Sequence, residues 1–208
     1  MAAADPEATS AAKSSAQKAD RPQPHPGLID AGLIAAVGAG AKLHELSIVR
    51  VFDGPREVVY EAFSNPAQAK QWMGPRGFVA THFEQDARPG GKWRACLHQT
   101  ESWRHGRVIP DLWQGGVFKE IVPPERIVYT FAWEGQGGQP TRETEITVRF
   151  TDLDGKRTKM DFHQAFFDSV EMRDGHDHGW NSSFDRLEDL VKNWNRSLDR
   201  LDDLLKEM

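Results

Sequence analysis

From Phe78 to Phe166 the chain passes through six short segments of strand character, and no helical periodicity interrupts them. They read FVATHFEQD, GGKWRACLHQ, LWQGGVFKEIV, RIVYTFAW, residues 141–150, and TKMDFHQAF. Turn residues separate them: Arg88-Pro89-Gly90-Gly91, Pro123-Pro124, the stretch from Gly135 to Pro140, and Asp154-Gly155. Consecutive strands joined by short turns pair antiparallel as a meander. A long amphipathic segment follows. Trp180, Phe184, Leu187, Val191, Trp194, Leu198, Leu201 and Leu205 recur every three or four residues, with Asp185, Glu188, Asp189, Lys192 and Asn193 opposite. This spacing predicts a helix over residues 178–206, roughly 44 Å long. A helix of that length either overhangs a small sheet or breaks at NWNRS.

Before the six strands come three more elements. KLHELSIVRVF reads as a seventh strand by its β-branched content. DGPREVVYEAFSN reads as a helix, with Asp53 as its cap, Pro55 in its first turn, and a stripe of Val58, Val59, Ala62 and Phe63. NPAQAKQWMGP reads as a second short helix ended by Gly74-Pro75. The expected class is α+β. A broad antiparallel sheet with one apolar face needs a cover, and only the last helix is long enough. The two short helices plug one end, and an apolar cavity is expected between sheet and helix.

Composition narrows the function classes. The net charge of −5 gives no electrostatic footprint for nucleic acid or anionic membrane. The single cysteine, Cys96, rules out an internal disulfide and fits a reducing compartment. It reads as a small buried residue rather than a nucleophile. Residues 1–42 are expected to be a disordered or loosely ordered tail, and residues 43–208 a single domain. The most apolar part of that tail, LIDAGLIAAVGAGA, is interrupted by Asp30 and falls short of the roughly 20 residues that span a bilayer. Asp5 and Glu7 stand where a signal peptide is basic. A soluble, cytoplasmic protein is expected.

Four segments carry a resemblance: VFDGPREVVYEAFSNPAQAKQWMGP, RPGGKWR, GGVFKEIVPPERIVYTF and GHDHGWNSSFDRLEDLV. In order and spacing they resemble the START-like (SRPBCC, Bet v 1-like) superfamily. Within it they are similar to the bacterial homologues of the C-terminal domain of the activator of heat-shock protein 90 ATPase. The resemblance covers about residues 46–192. It implies a helix-grip fold, in which a curved antiparallel sheet of about seven strands wraps a long C-terminal helix around an internal ligand cavity. It does not imply one function, because members include small-molecule binders and a few enzymes. The motif residues have fold-forming readings of their own. Trp72 is an aromatic plug, Gly90-Gly91 permits a tight strand entry, and Pro123-Pro124 ends a strand.

Alternation proposes the interior. If Phe131 points inward, so do Tyr129 and Trp133; if Phe162 does, so do Met160, Gln164 and Phe166. Trp93, Ala95 and Leu97 share one face of their strand, and Arg94, Cys96 and His98 the other; alternation does not say which is inner. The candidate ligand-binding residues are Trp72, Trp93, Phe118, Tyr129, Phe131 and Trp133. Phe162, Gln164 and Phe166 join them from the last strand, and His176, Trp180 and Phe184 from the helix. A large aromatic core and a cavity for a flat apolar ligand both fit this set. Gln164 is an amide among apolar residues and needs partners, from a ligand or from its neighbours.

The stretch RDGHDHGW, residues 173–180, resembles a catalytic or metal loop at first sight. His176 and His178 are two apart, which does not place them on one helix face, so no metal site is expected. The reading is a helix N-terminus with Asp174 as cap and Asp177 in the first turn. His176 then serves as a gate or hydrogen-bond partner at the cavity mouth. No G-x-S-x-G, H-E-x-x-H, C-x-x-C or phosphate-loop motif appears, so no catalytic residue and no cofactor is assigned. The expected function is binding of a small apolar or aromatic molecule. The alternatives are a chaperone co-factor, and an enzyme acting on a cyclic or aromatic metabolite through His98, His163 or an inner carboxylate. Exposed sheet edges leave room for a homodimer.

Overall fold

Alternating burial builds each strand, and its phase fixes which face meets the helix. The computed structural model describes residues 44–103 and 108–206. The expected N-terminal tail, residues 1–42, lies outside them. Leu46, Ile48 and Phe52 turn inward from β1 (His44–Phe52). The other strands are β2 (Phe78–Gln85), β3 (Lys92–Gln99), β4 (Leu112–Val122), β5 (Arg126–Trp133), β6 (Thr144–Asp152) and β7 (Thr158–Phe167). They form one seven-stranded antiparallel sheet in the order β1-β7-β6-β5-β4-β3-β2. The meander runs from β2 to β7, and β1 closes the far edge beside β7. On β3 the inner face is Trp93, Ala95 and Leu97. Cys96 is also buried, on the outer face, between His82 and Trp113 of the flanking strands.

Two glycines let strands approach more closely than a side chain allows. A Cβ on Gly91 would lie 1.9 Å from the Asp86 carbonyl oxygen, inside the turn that feeds β3. A Cβ on Gly116 would lie 1.9 Å from the Thr130 carbonyl oxygen and 2.8 Å from Trp93 Nε1. The bare backbone there lets Trp93 Nε1 donate to Thr130 O at 3.0 Å, while the Val117 amide donates to Thr130 Oγ1 at 3.0 Å. Side chains thus replace two rungs of the β4–β5 ladder.

The short helices are α1 (Arg56–Ser64) and α2 (Pro66–Trp72). Asp53 does not cap α1. Pro55 holds the N-cap position and no side chain bonds to the helix start. The buried face of α1 is Val59, Tyr60, Ala62 and Phe63, so Tyr60 takes the place expected for Val58. Asn65 caps α2 by accepting from the Ala67 amide at 3.0 Å, with Pro66 in the first turn.

The long helix α3 (Val170–Lys206) has 37 residues and is about 55 Å long. It begins eight residues before the expected start. Its cap is Ser169, whose Oγ accepts from the Met172 amide at 3.1 Å. RDGHDHGW is therefore helical throughout. Asp174 is exposed inside the helix and is not a cap, and Asp177 accepts from the Asn181 amide one turn on. Gly175 and Gly179 each weaken a helix by about 1 kcal/mol relative to alanine, and packing of the inner face overrides that cost. That face is His176, Trp180, Phe184, Leu187 and Val191. NWNRS does not break the helix, and Leu204 and Leu205 are exposed near its end. Of the two outcomes the sequence allowed, the helix overhangs.

Arg186 ties α3 to the plug. Its guanidinium donates to the carbonyls of Gln71 at 2.7 Å, Gly74 at 2.8 Å and Phe78 at 3.1 Å. These are the end of α2 and the entry to β2, where helix carbonyls otherwise lack partners. Among the described residues no helix is long and apolar enough to cross a membrane.

Candidate functional site

Polar side chains are few in the interior, and four of them meet at one place. Gln164 sits on the inner face of β7, fully buried, across from Leu46 of β1 and Ile146 of β6. Its Oε1 accepts from Trp180 Nε1 at 2.7 Å and lies 3.2 Å from His176 Nδ1. Its amide nitrogen donates to Thr144 Oγ1 at 2.8 Å, and Thr144 passes its own proton to Phe131 O at 3.1 Å. Trp133 Nε1, at the end of β5, donates to His176 Nε2 at 3.0 Å. An indole can only donate, so His176 Nε2 is an acceptor and Nδ1 carries the proton that goes to Gln164. Every polar atom of the chain Trp133–His176–Gln164–Thr144 is thereby partnered, as a low-dielectric interior requires.

Aromatic rings surround this network. Phe131 and Phe167 each lie 5.0 Å from the His176 ring, and Phe162 lies 4.9 Å from Trp180. Trp180 stacks on Phe184 at 5.7 Å, and Phe184 continues to Trp72 at 6.0 Å. Along the sheet the contacts run from Phe131 to Trp93, Tyr129 and Phe118 at 5.7–5.8 Å. Trp72 anchors itself separately, with Nε1 donating to Ala62 O at 2.9 Å. Rings in mutual contact thus occupy much of the space where the sequence placed a cavity. Trp133 is half-buried, so its end of the network lies nearest solvent.

Eleven of the twelve candidate residues turn toward this interior, and Phe166 does not. Ala165 pairs with Glu45, and Phe167 pairs with His44, so Phe166 is an extra residue on β7. Its φ of 76° is left-handed, and its side chain is 43% exposed. The bulge shifts the alternation by one, and Phe167 enters the interior instead. Two participants escaped the sequence reading, Phe167 and Thr144. Thr144 heads the alternation Thr144, Ile146, Val148, Phe150 that faces the core, which was its available signal. Phe167 had none, because a bulge leaves no mark in composition.

The histidines separate by environment. His176 is buried and His178 is exposed, so the two diverge from one another. His98 and His163 sit on the outer face, paired with Asp111 at 2.6 Å and Glu45 at 3.3 Å. Neither reaches the interior.

The family pattern described as "Activator of Hsp90 ATPase homolog 1-like protein" matches residues 53–192. The chain belongs to this family. Solved structures resemble this family member over nearly their whole length. A protein from Chromobacterium violaceum is 28% identical, with 71% of this chain and 97% of that one covered and a TM-score of 0.58. A protein from Rhizobium leguminosarum is 26% identical, with 74% and 97% covered and a TM-score of 0.61. The AHSA1 protein from Silicibacter pomeroyi shares the fold at 20% identity, 72% and 98% coverage and a TM-score of 0.62. Among curated proteins none matches the chain. In this AHSA1-family member the matched region ends within α3 and includes the whole polar network.

Burial pushes the His176 imidazole down to about 3. In the unfolded chain a histidine titrates near 6.5, so between these values the unfolded state binds a proton that the folded state does not. This contribution is fully present above about pH 6.5 and falls by up to about 1.4 kcal/mol per pH unit below it, levelling off under the folded value. His176→Gln retains a donor and an acceptor but cannot titrate. Urea unfolding at a series of pH values from 7 to 4 should show a shallower loss of stability in H176Q. Parallel curves would refute this account of the histidine.

Proposed function

We propose that the protein binds a small apolar or aromatic molecule carrying one hydrogen-bonding group, between α3 and the β5–β7 part of the sheet. The observation that carries this reading is the Trp133–His176–Gln164 network: a few converging polar groups within an aromatic wall, one end of it near solvent. Ligand sites in helix-grip folds need such a combination, apolar area for affinity and a few polar groups for orientation. The ligand takes the place of Trp133 against His176 Nε2, so the indole swings outward when the site is filled. The buried lone cysteine suits a cytoplasmic setting for this role.

The test is titration with 2-naphthol, indole and a medium-chain fatty acid. Tryptophan emission should change saturably and the melting temperature should rise with at least one of them. Trp133→Phe should alter the emission response while leaving the fold intact. A panel without any saturable response would overturn the reading. The family's description favours a second one, a chaperone co-factor. Its check is whether the purified protein raises the ATPase rate of the host Hsp90-type chaperone; an unchanged rate removes it.

A further inference from the structure

Away from this network, three guanidiniums gather around one surface cavity. It has a volume of about 290 Å³ and opens where the start of α1, the β4–β5 turn and the end of β6 meet. Arg56, Arg126 and Arg149 line it together with a single carboxylate, Glu125. β6 carries Thr144 at its other end, roughly 20 Å of strand away, so the cavity is separate from the interior site.

The charges there are poorly balanced. Arg126 and Arg149 are directly opposite one another on β5 and β6. Like charges in that position destabilise a strand pair unless something lies between them. Arg126 is held by Glu120, with Nε to Oε2 at 3.1 Å. The Arg149 side chain makes no hydrogen bond or ion pair among the described residues; its other cross-strand neighbour, Asp161, is taken by Lys159 at 2.8 Å. Arg56 comes no nearer than 3.8 Å to Glu57 and 4.0 Å to Glu125, and its buried Nε has no partner. Arg56 is also the first residue of α1, whose positive end carries no side-chain cap. All this occurs on a chain whose net charge is −5, so the cluster opposes the overall sign.

We infer that this cavity binds a small oxyanion, the phosphate or carboxylate group of a metabolite. An oxyanion between Arg149 and Arg56 supplies the missing acceptors. It fits the planar fork of a guanidinium and separates the charges of Arg126 and Arg149. The site adds an anion-binding function to the fold and does not depend on the interior reading.

The experiment follows arginine Nε–Hε resonances of the full chain by NMR. Sodium phosphate and sodium succinate are titrated in separate arms against sodium chloride at equal ionic strength. Saturable shifts at Arg56 and Arg149 are expected. Saturation by phosphate alone assigns a phosphate ligand, and by succinate alone a carboxylate. Arg149→Gln should weaken the response at least tenfold, and Arg149→Lys should be intermediate because it keeps the charge but not the fork. In chloride, R149Q should melt at or above the wild-type temperature, since a cross-strand repulsion is gone. Shifts no different from those in chloride in both arms, or unchanged affinity in R149Q, would overturn the proposal. So would a large loss of melting temperature in chloride, which would make Arg149 a structural residue.

Discussion

Replacing Gln164 by leucine is expected to cost about 3–5 kcal/mol of stability, a large share of the 5–15 kcal/mol typical of a domain. Leucine fills nearly the same volume, so packing changes little. What is lost is the acceptor for Trp180 Nε1–H and for the His176 Nδ1–H. Each buried donor left unpaired costs about 1–3 kcal/mol. Thr144→Val removes the hydroxyl that bonds Phe131 O and leaves the Gln164 amide N–H without its acceptor, which should cost about 1–3 kcal/mol. Urea denaturation followed by circular dichroism measures both. Adding His176→Leu and Trp133→Phe together to Q164L should restore part of the loss, because the pair removes the orphaned His176 donor and also the Trp133 donor that its loss would otherwise strand. A Q164L loss below about 1 kcal/mol would show that the network contributes no net stability.

Arg186→Ala should be nearly as damaging, at about 3–4 kcal/mol, and its effect should be local. The guanidinium is half-buried, with its pKa lowered by burial and by the nearby Arg76, so the site keeps a charge that is costly to bury. Three carbonyls at the end of α2 and the entry to β2 return that cost through charge-assisted hydrogen bonds. In the alanine variant these carbonyls have no partner, and the plug loosens first. Hydrogen exchange should therefore accelerate at residues 71–78 well before the sheet responds. Arg186→Lys retains the charge but reaches fewer carbonyls, and should recover less than half. Uniform acceleration across all strands would contradict a local clamp.

Much of the architecture was legible in the sequence because it rests on short-range periodicity. Strand character in residues 141–150 placed β6, and alternation in residues 158–164 placed β7 and its inner face, Gln164 included. The recurring Trp180, Phe184, Leu187 and Val191 placed the helix and its buried stripe. The failures share a physical cause, which is that distant packing overruled local preference. Gly175 and Gly179 argue against helix locally, yet the segment is helical because His176 and Trp180 on its inner side reach Gln164. Phe166 continues a perfect alternation, yet β1 pairing accommodates an extra residue there. The face of β3 was undecidable locally, and neighbours decided it: Trp93 reaches Thr130 over the gap left by Gly116. The aromatic candidates were readable as interior residues, but their contacts with each other were not, since ring packing depends on three strands and a helix at once.

The placement of β1 also bears on how the protein is made. β1 is the first strand to emerge, but its only sheet partner among the described residues is β7, on the order of 100 residues later. At about 5–20 residues per second, a ribosome needs roughly 5–20 s to deliver that partner. Throughout this interval Leu46, Ile48 and Phe52 have no strand to join, while the meander from β2 onward can assemble hairpin by hairpin. The nascent chain therefore carries a waiting apolar strand until β7 has been made, and the sheet can close only then.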